Sequence, residues 1–385
     1  MQRIQLSTSS TLHETRHVQR RPMTVPTPLT FLKQPPDRTQ CVYMTGGTRR
    51  DFAGIHCLVR LLRASRHPVV VVAEEKDTAL MARMLEGTRA VPAFWGRLNY
   101  AYRGHSGGIH AINKVQILAA PFRRVIWLDP DMLMRRPVDE LCELPPSVAF
   151  AGARNIGFAS TCWRADGKRS DVCLDCRHWD PTNGSLPLPR RQMNGPCTYE
   201  VNTGLLVFQP LHPADFAQRV ALPTLAGRMH SSDGTDQGII NTLLFGHAVF
   251  GQSIGGPTHD GTIGSTTASD ELRSAMWLPS KYNAMARMYA LRAQEFESWR
   301  PTIVHFTGNT KPWLNLSHAK CWSSARRQMF DCGEYLMKLP VGSLAPLHAE
   351  WRHACGTDYV CSDGKLCSTA KVWQRRHGSA LERTS

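Results

Sequence analysis

The 385-residue chain has no run of 18 apolar residues, which leaves no candidate for a membrane-crossing helix. Its first 40 residues lack the apolar core of a secretory signal. Ser, Thr and Pro recur there, and six Lys/Arg stand against two Asp/Glu, so residues 1–40 read as a disordered basic leader. That stretch is faintly like an organelle transit peptide, and equally like a tail or a truncated start. Acidic residues are scarce overall: 31 Asp and Glu face 46 Lys and Arg, for a net charge of +15. Such an excess favours anionic partners. No arginine-rich helix and no basic run interleaved with aromatics occurs, so a nucleic-acid module is excluded. No G-x-G-x-x-G follows the first strand, so the dinucleotide-binding fingerprint is absent. No internal repeat occurs.

Cysteine, by contrast, is plentiful, with 12 residues. Cys41, Cys57 and Cys142 sit in apolar segments and are expected to be buried thiols. Cys162, Cys173, Cys176 and Cys197 cluster in a polar insertion over 154–200, and five more fill the C-terminus. The cluster has one close pair where structural zinc sites have two, so disulfides, zinc and free thiols stay open. Its place between two core strands makes it a candidate lid or specificity loop. Clustered cysteines favour an oxidising compartment, the Golgi or secretory lumen. The missing signal favours the cytoplasm.

Hydrophobic patterning predicts an α/β domain. Cys41 to Thr45 is a short strand ended by Gly46-Gly47. Ile55, Leu58, Val59 and Leu62 fall at i, i+3, i+4 and i+7, the stripe of an amphipathic helix. Val69 to Ala73 is a second strand, after which Asp77 can cap a helix carrying Leu80, Met81, Met84 and Leu85. This β-α-β-α order starts a parallel sheet with helices on its faces. Further on, a helix begins at Ile112 to Leu118, and strands are expected at 147–151, 204–208, 248–250 and 302–306. Helices are expected over 213–225 and 236–244. The main folded domain is placed at 41–335, and 336–385 reads as a Cys-bearing tail.

The densest signal is Val125-Ile126-Trp127-Leu128-Asp129-Pro130-Asp131. Four apolar residues make a buried strand, and two carboxylates follow one residue apart. Hard oxygen ligands at a strand end suit Mg2+ or Mn2+.

In order along the chain, V-I-W-L-D-P-D, V-N-T-G-L-L-V-F, D-Q-G-I-I-N, L-P-S-K-Y-N and V-H-F-T-G-N-T-K-P-W resemble glycosyltransferase family 8. This glycogenin-like group of retaining enzymes also contains plant xylan glucuronosyltransferases. The resemblance covers roughly residues 41–315, without the insertion. It implies a Rossmann-like GT-A fold that binds a UDP-sugar donor and a divalent metal, usually Mn2+, with Mg2+ the alternative. It implies that Asp129, Asp131 and His305 hold the metal. Gly308 and Lys311 would meet the diphosphate, and Lys114 the sugar and phosphates. Thr45 and Phe52 would lie at the uridine, Phe52 standing where many members have a stacking Tyr. Asn202 would lie near the donor sugar, and Asp236 and Gln237 beside the reacting carbon. Taken singly, each has a plain structural reading: Phe52 as core, Lys114 as a helix-surface residue, Asp236 as an N-cap, Lys311 as a solvated turn residue.

The expected activity is transfer of a hexose or hexuronic acid to a glycan or glycoprotein acceptor. Gln237 is a poor nucleophile, so front-face attack is favoured, with a covalent intermediate on Asp236 as the alternative. A self-glucosylating glycogenin is a second reading, although none of the eight Tyr residues has a matching acceptor context and Tyr199 is unsupported. An inactive sugar-nucleotide-binding or carbohydrate-binding protein is a third. A homodimer is allowed.

Overall fold

A computed structural model of the chain describes residues 29–96, 113–154, 201–225, 236–245, 275–291, 293–307, 311–313, 320–323, 328–331 and 344–356. The described chain begins with β1 (Thr30–Phe31) and β2 (Cys41–Gly47), then α1 (Phe52–Leu61), β3 (Val69–Glu74), α2 (Thr78–Met84) and β4 (Val91–Trp95). A 3-10 turn at Lys114–Ala119 leads to β5 (Arg124–Leu128) and β6 (Met132–Met134), and a second at Asp139–Glu143 precedes β7 (Phe150–Arg154). After β8 (Val201–Phe208), α3 (Pro213–Phe216) continues through a π-turn at Ala217–Ala221 into Leu222–Leu225, and α4 (Asp236–Phe245) follows. Then come β9 (Ala275–Leu278), β10 (Ala284–Met285), α5 (Ala286–Leu291), α6 (Ala293–Ser298) and β11 (Ile303–His305). The last described elements are the hairpin of β12 (Lys320–Ser323) with β13 (Gln328–Asp331), and α7 (Ala345–Cys355).

The main sheet has eight strands in the order β1-β4-β3-β2-β5-β8-β7-β9. Strands β4, β3, β2 and β5 run parallel, β8 is antiparallel to both β5 and β7, and β9 is parallel to β7. Both faces are covered, which is why the central strands read as unbroken apolar runs. Alternation sends Tyr43, Ile126, Leu128, Leu205 and Val207 into the core shared with α1 and α2. The intervening Met44, Val125, Trp127, Leu206 and Phe208 enter the opposite core, beneath the Lys114–Ala119 turn, α3 and α4. This is a Rossmann-like α/β fold with a mostly parallel central sheet.

A second sheet, in the order β10-β11-β6, is what joins the distant parts of the site. Helix α1 lies between the two sheets. Its stripe of Ile55, Leu58 and Val59 packs on the main sheet, while Ala53 and Cys57 on the other side join Leu133, Val304, Phe306 and Trp351. Gly54 lets the helix approach the Asp129-Pro130-Asp131 turn: a Cβ there would strike the Pro130 carbonyl oxygen and come within 2.7 Å of Trp313.

Several sequence expectations change. Cys41 and Cys142 are not thiols but a disulfide, with Cα atoms 5.8 Å apart, and Cys57 pairs with Cys355 at 4.8 Å. The partners are 101 and 298 residues apart, a distance that spacing cannot reveal. The segment at 345–355, read as part of a tail, contains a helix that packs on α1. It is bounded by Pro346 in its first turn and by Gly356 at φ 90°, and it buries Leu347, His348, Trp351 and Cys355. The helix expected from Ile112 to Leu118 is present as a 3-10 helix over Lys114–Ala119. Asp77 makes no side-chain cap on α2, because its carboxylate takes Arg49 instead. The strand expected at 147–151 runs from Phe150 to Arg154. The Cys162–Cys197 cluster, Tyr199 and the 248–250 strand lie outside the described residues.

Candidate active site

Two ladders build the site. The β6–β11 pairing sets His305 opposite Met132, and the Phe306 N–H donates to the Asp131 carbonyl at 2.9 Å. His305 therefore arrives beside Asp131 from far downstream. The β5–β8 pairing continues beyond Leu128, with the Asp129 N–H donating to the Gly204 carbonyl at 2.8 Å. That sets Asn202-Thr203-Gly204 beside Asp129. The first residue of α4, Asp236, reaches the same place because Ile239 and Ile240 anchor the helix in the core under β8.

One ligand atom each from Asp129, Asp131 and His305 lies within 4.8 Å of the others. His305 Nε2 is 3.3 Å from Asp131 Oδ1, and the Lys311 ammonium donates to Asp131 Oδ2. Burial opposes the Asp131 charge, but Lys311 and His305 outweigh it and hold the carboxyl well below the usual range. Lys311 also donates to the Phe306 carbonyl at 3.2 Å.

On the other side, Lys114 is buried and donates to Asp129 Oδ1 at 2.7 Å and to the Thr203 carbonyl at 2.8 Å. Its Nζ is 3.0 Å from Asp236 Oδ2. Burial disfavours its charge, yet Asp129 and Asp236 together raise its pKa. Asp236 is pushed the opposite way from an ordinary ion pair: burial raises its pKa, Asp129 adds to this, and Lys114 and Thr203 offset only part. Trp127 Nε1 donates to Asp129 Oδ1 at 2.7 Å, as alternation along one strand face allows. Three carboxylates thus share two ammonium groups, and the surplus negative charge suits a cation.

Of the residues singled out from sequence, the structure brings together Asp129, Asp131, His305, Lys114, Lys311, Asn202, Asp236 and Gln237. Gln237 Oε1 accepts the Thr203 N–H at 3.2 Å. Thr45, opposite Leu128 in the β2–β5 ladder, and Phe52, at the start of α1, are both buried. Thr45 is 0% exposed and its hydroxyl has no hydrogen-bond partner among the described residues. Phe52 is 1% exposed and belongs to the α1 core, so its ring is packed rather than offered for stacking. Gly308 lies outside the described residues.

Sequence reasoning missed Thr203, whose hydroxyl donates to Asp236 Oδ2 at 2.7 Å, and Asn283, whose Oδ1 is 2.9 Å from His305 Nδ1. Thr203 stands inside N-T-G and Asn283 ends L-P-S-K-Y-N, so the motifs marked both. Asp51 was missed too. Its Oδ2 accepts from the Thr48 N–H at 2.9 Å and the Thr48 hydroxyl at 3.0 Å, closing the loop between β2 and α1.

Residues 112–317, more than half of the chain and the span that carries this site, match the family model for glycosyl transferase family 8. The chain belongs to glycosyltransferase family 8. It is a glycosyltransferase with a Rossmann-like α/β fold. A search of curated protein sequences finds no match. Among solved structures the family 8 chain is similar to the apo form of WbbM, a bifunctional glycosyltransferase, with TM-score 0.45 and 13% identity over 84% of this chain and 53% of that one. It therefore spans about half the length of WbbM. An active-site mutant of LgtC matches with TM-score 0.41 and 14% identity, over 81% of this chain and 99% of LgtC. The apo form of mouse xyloside xylosyltransferase 1 matches with TM-score 0.39 and 13% identity, over 70% and 99% of the two chains.

Proposed function

We propose that this family 8 enzyme is a metal-dependent, retaining glycosyltransferase that moves a hexose or hexuronic acid from a UDP-sugar to a glycan or glycoprotein. The observation that carries this reading is the convergence of Asp129, Asp131 and His305 within 4.8 Å, between two lysine ammonium groups. Two carboxylates and an imidazole suit Mn2+ better than Mg2+. A bound Mn2+ would act as a Lewis acid on the diphosphate, offsetting charge that builds on the leaving group.

The chain's own residues supply the rest. Lys311, only partly buried, presents a positive charge that a diphosphate can meet. Lys114 holds Asp129 and Asp236 in place and keeps their charges compensated. Asp236, positioned by Thr203, would bond sugar hydroxyls or stabilise positive charge on the ring. The Gln237 amide is turned to the backbone of β8 and is a poor nucleophile, which supports front-face attack by the acceptor hydroxyl. The two disulfides support folding in an oxidising compartment, in keeping with a secretory lumen.

A panel of UDP-sugars screened for Mn2+-dependent release of UDP tests the reading without knowledge of the acceptor. One donor is expected to be hydrolysed slowly with Mn2+ and not with chelator. Asp129→Asn and Asp131→Asn are expected to abolish both this release and Mn2+-dependent UDP binding while the fold persists. Undiminished Mn2+-dependent binding of UDP by both variants would refute the metal assignment.

A further inference from the structure

A neutral histidine offers one lone pair, and what its other nitrogen bonds decides which nitrogen that is. At His305 the choice follows from a chain of hydrogen bonds that begins at a group with no alternative. The Gly204 backbone N–H can only donate, and it donates to Asn202 Oδ1 at 3.0 Å. The oxygen of the Asn202 amide is thereby assigned. Asn283 meets that same oxygen with its Nδ2 at 2.9 Å. Its carbonyl oxygen is consequently turned to His305, 2.9 Å from Nδ1. A carbonyl oxygen only accepts, so Nδ1 carries the hydrogen. Nε2, the nitrogen facing Asp131, is then the one left to bind a cation once it carries no proton.

Sterics fix the ring as the relay fixes its chemistry. A Cβ on Gly204 would come within 2.6 Å of His305 Nδ1, so the ring occupies space that only glycine leaves open. The second sheet brings Asn283 into range: β10 starts at Ala284 and pairs Met285 with His305. Asn202, Asn283 and His305 are all buried, so no solvent competes for these bonds.

We propose that Asn283 is a positioning residue that locks His305 as the Nδ1–H tautomer and aims Nε2 at the space shared with Asp129 and Asp131. It acts through His305 and touches no substrate. The proposal rests on the reading of that trio as a Mn2+ site. It also gives Asn202 a task apart from any contact with a donor sugar: its amide transmits the polarity of the Gly204 N–H to Asn283.

The test uses full-length protein labelled with 15N-histidine, with the His305 signal identified by its loss in His305→Gln. Two-bond proton–nitrogen correlations, recorded without added metal, read the tautomer. Mn2+ affinity is measured by EPR, and histidine nitrogen coupling to Mn2+ by pulsed EPR. Wild type is expected to show Nδ1–H. Asn283→Ala is expected to lose the single tautomer and to bind Mn2+ about 10–100-fold more weakly. Asn283→Asp keeps an acceptor for Nδ1 and is expected to retain the tautomer and to bind Mn2+ more tightly than Asn283→Ala.

A wild-type ring whose Nδ1 carries no hydrogen would overturn the proposal, as would unchanged tautomer and affinity in Asn283→Ala. The wild-type measurement does not depend on the Asn283 variants, so one of them that does not fold leaves the proposal refutable. Wild type with the Nδ1–H tautomer but no histidine nitrogen coupling would instead bring down the metal reading, and the proposal with it. The two failures are distinguishable because the tautomer is read without metal.

Discussion

Lys114 Nζ lies 3.0 Å from Asp236 Oδ2, and both side chains are buried. The same ammonium bonds Asp129, so one lysine compensates two carboxylates. Removing it strands the Asp236 charge away from water and leaves the partly exposed Asp129 without its ammonium partner. Lys114→Met is expected to destabilise the fold by about 3–5 kcal/mol, the usual effect of breaking a buried pair from one side. Asp236→Asn should cost less, because Lys114 keeps Asp129. Urea denaturation at neutral pH compares the two. Equal losses would mean that Lys114 acts only through Asp236.

Lys311 should discriminate between ligands. Its ammonium bonds Asp131 and the Phe306 carbonyl, on the side of the trio away from Lys114. If it serves a diphosphate, Lys311→Ala weakens UDP by about 1.5–3 kcal/mol and leaves uridine nearly unchanged. Calorimetric titration of both ligands gives the answer. Equal weakening of UDP and uridine would mark the lysine as structural.

Asp139 sets an acid limb of stability far from the site. It accepts from Ser65 Oγ at 2.7 Å, Tyr43 Oη at 2.8 Å and the Arg66 N–H at 3.2 Å. Burial disfavours its charge, but these bonds outweigh it and lower the pKa. A folded pKa below the unfolded one stabilises above the unfolded value, about 3.9, and this contribution fades as pH falls through the folded value. The melting-temperature gap between wild type and Asp139→Asn should therefore be largest near neutrality and shrink below about pH 4. A gap constant across that range would show that charge is not involved.

The Cys57–Cys355 bond closes a span of 298 residues and ties α7 to α1. In the unfolded chain such a link removes much loop entropy, so its loss should cost about 2–5 kcal/mol. Cys355→Ser, or reduction of the wild type, is expected to lower the melting temperature. Non-reducing peptide mapping should recover Cys57 joined to Cys355. Labelling of either thiol without reductant would contradict the pairing.

Much of this was legible in the residues. The apolar run 125–128 ending in two carboxylates, the α1 stripe, and the alternation that fills both cores are local patterns, and local backbone geometry obeys them. The order of the five motifs carried the family. The C-terminal helix was readable too, from Pro346, Leu347, Trp351 and Gly356, but its apolar face is short and set among unpatterned residues.

What only the tertiary structure decided is which distant residues meet. Periodicity says that Asp131 and His305 each sit at a strand end. The register of β6 against β11 is what makes them neighbours. Nothing local says that Thr203 braces Asp236 or that Asn283 turns His305, because one bond joins β8 to α4 and the other the edges of β10 and β11, and their energy exists only after the core has formed. Nor does chain position say that Thr45 and Phe52, expected at the uridine, are both buried. A sequence prescribes side chains and local backbone preferences, whereas a site of three carboxylates, two lysines and one oriented imidazole depends on long-range pairing.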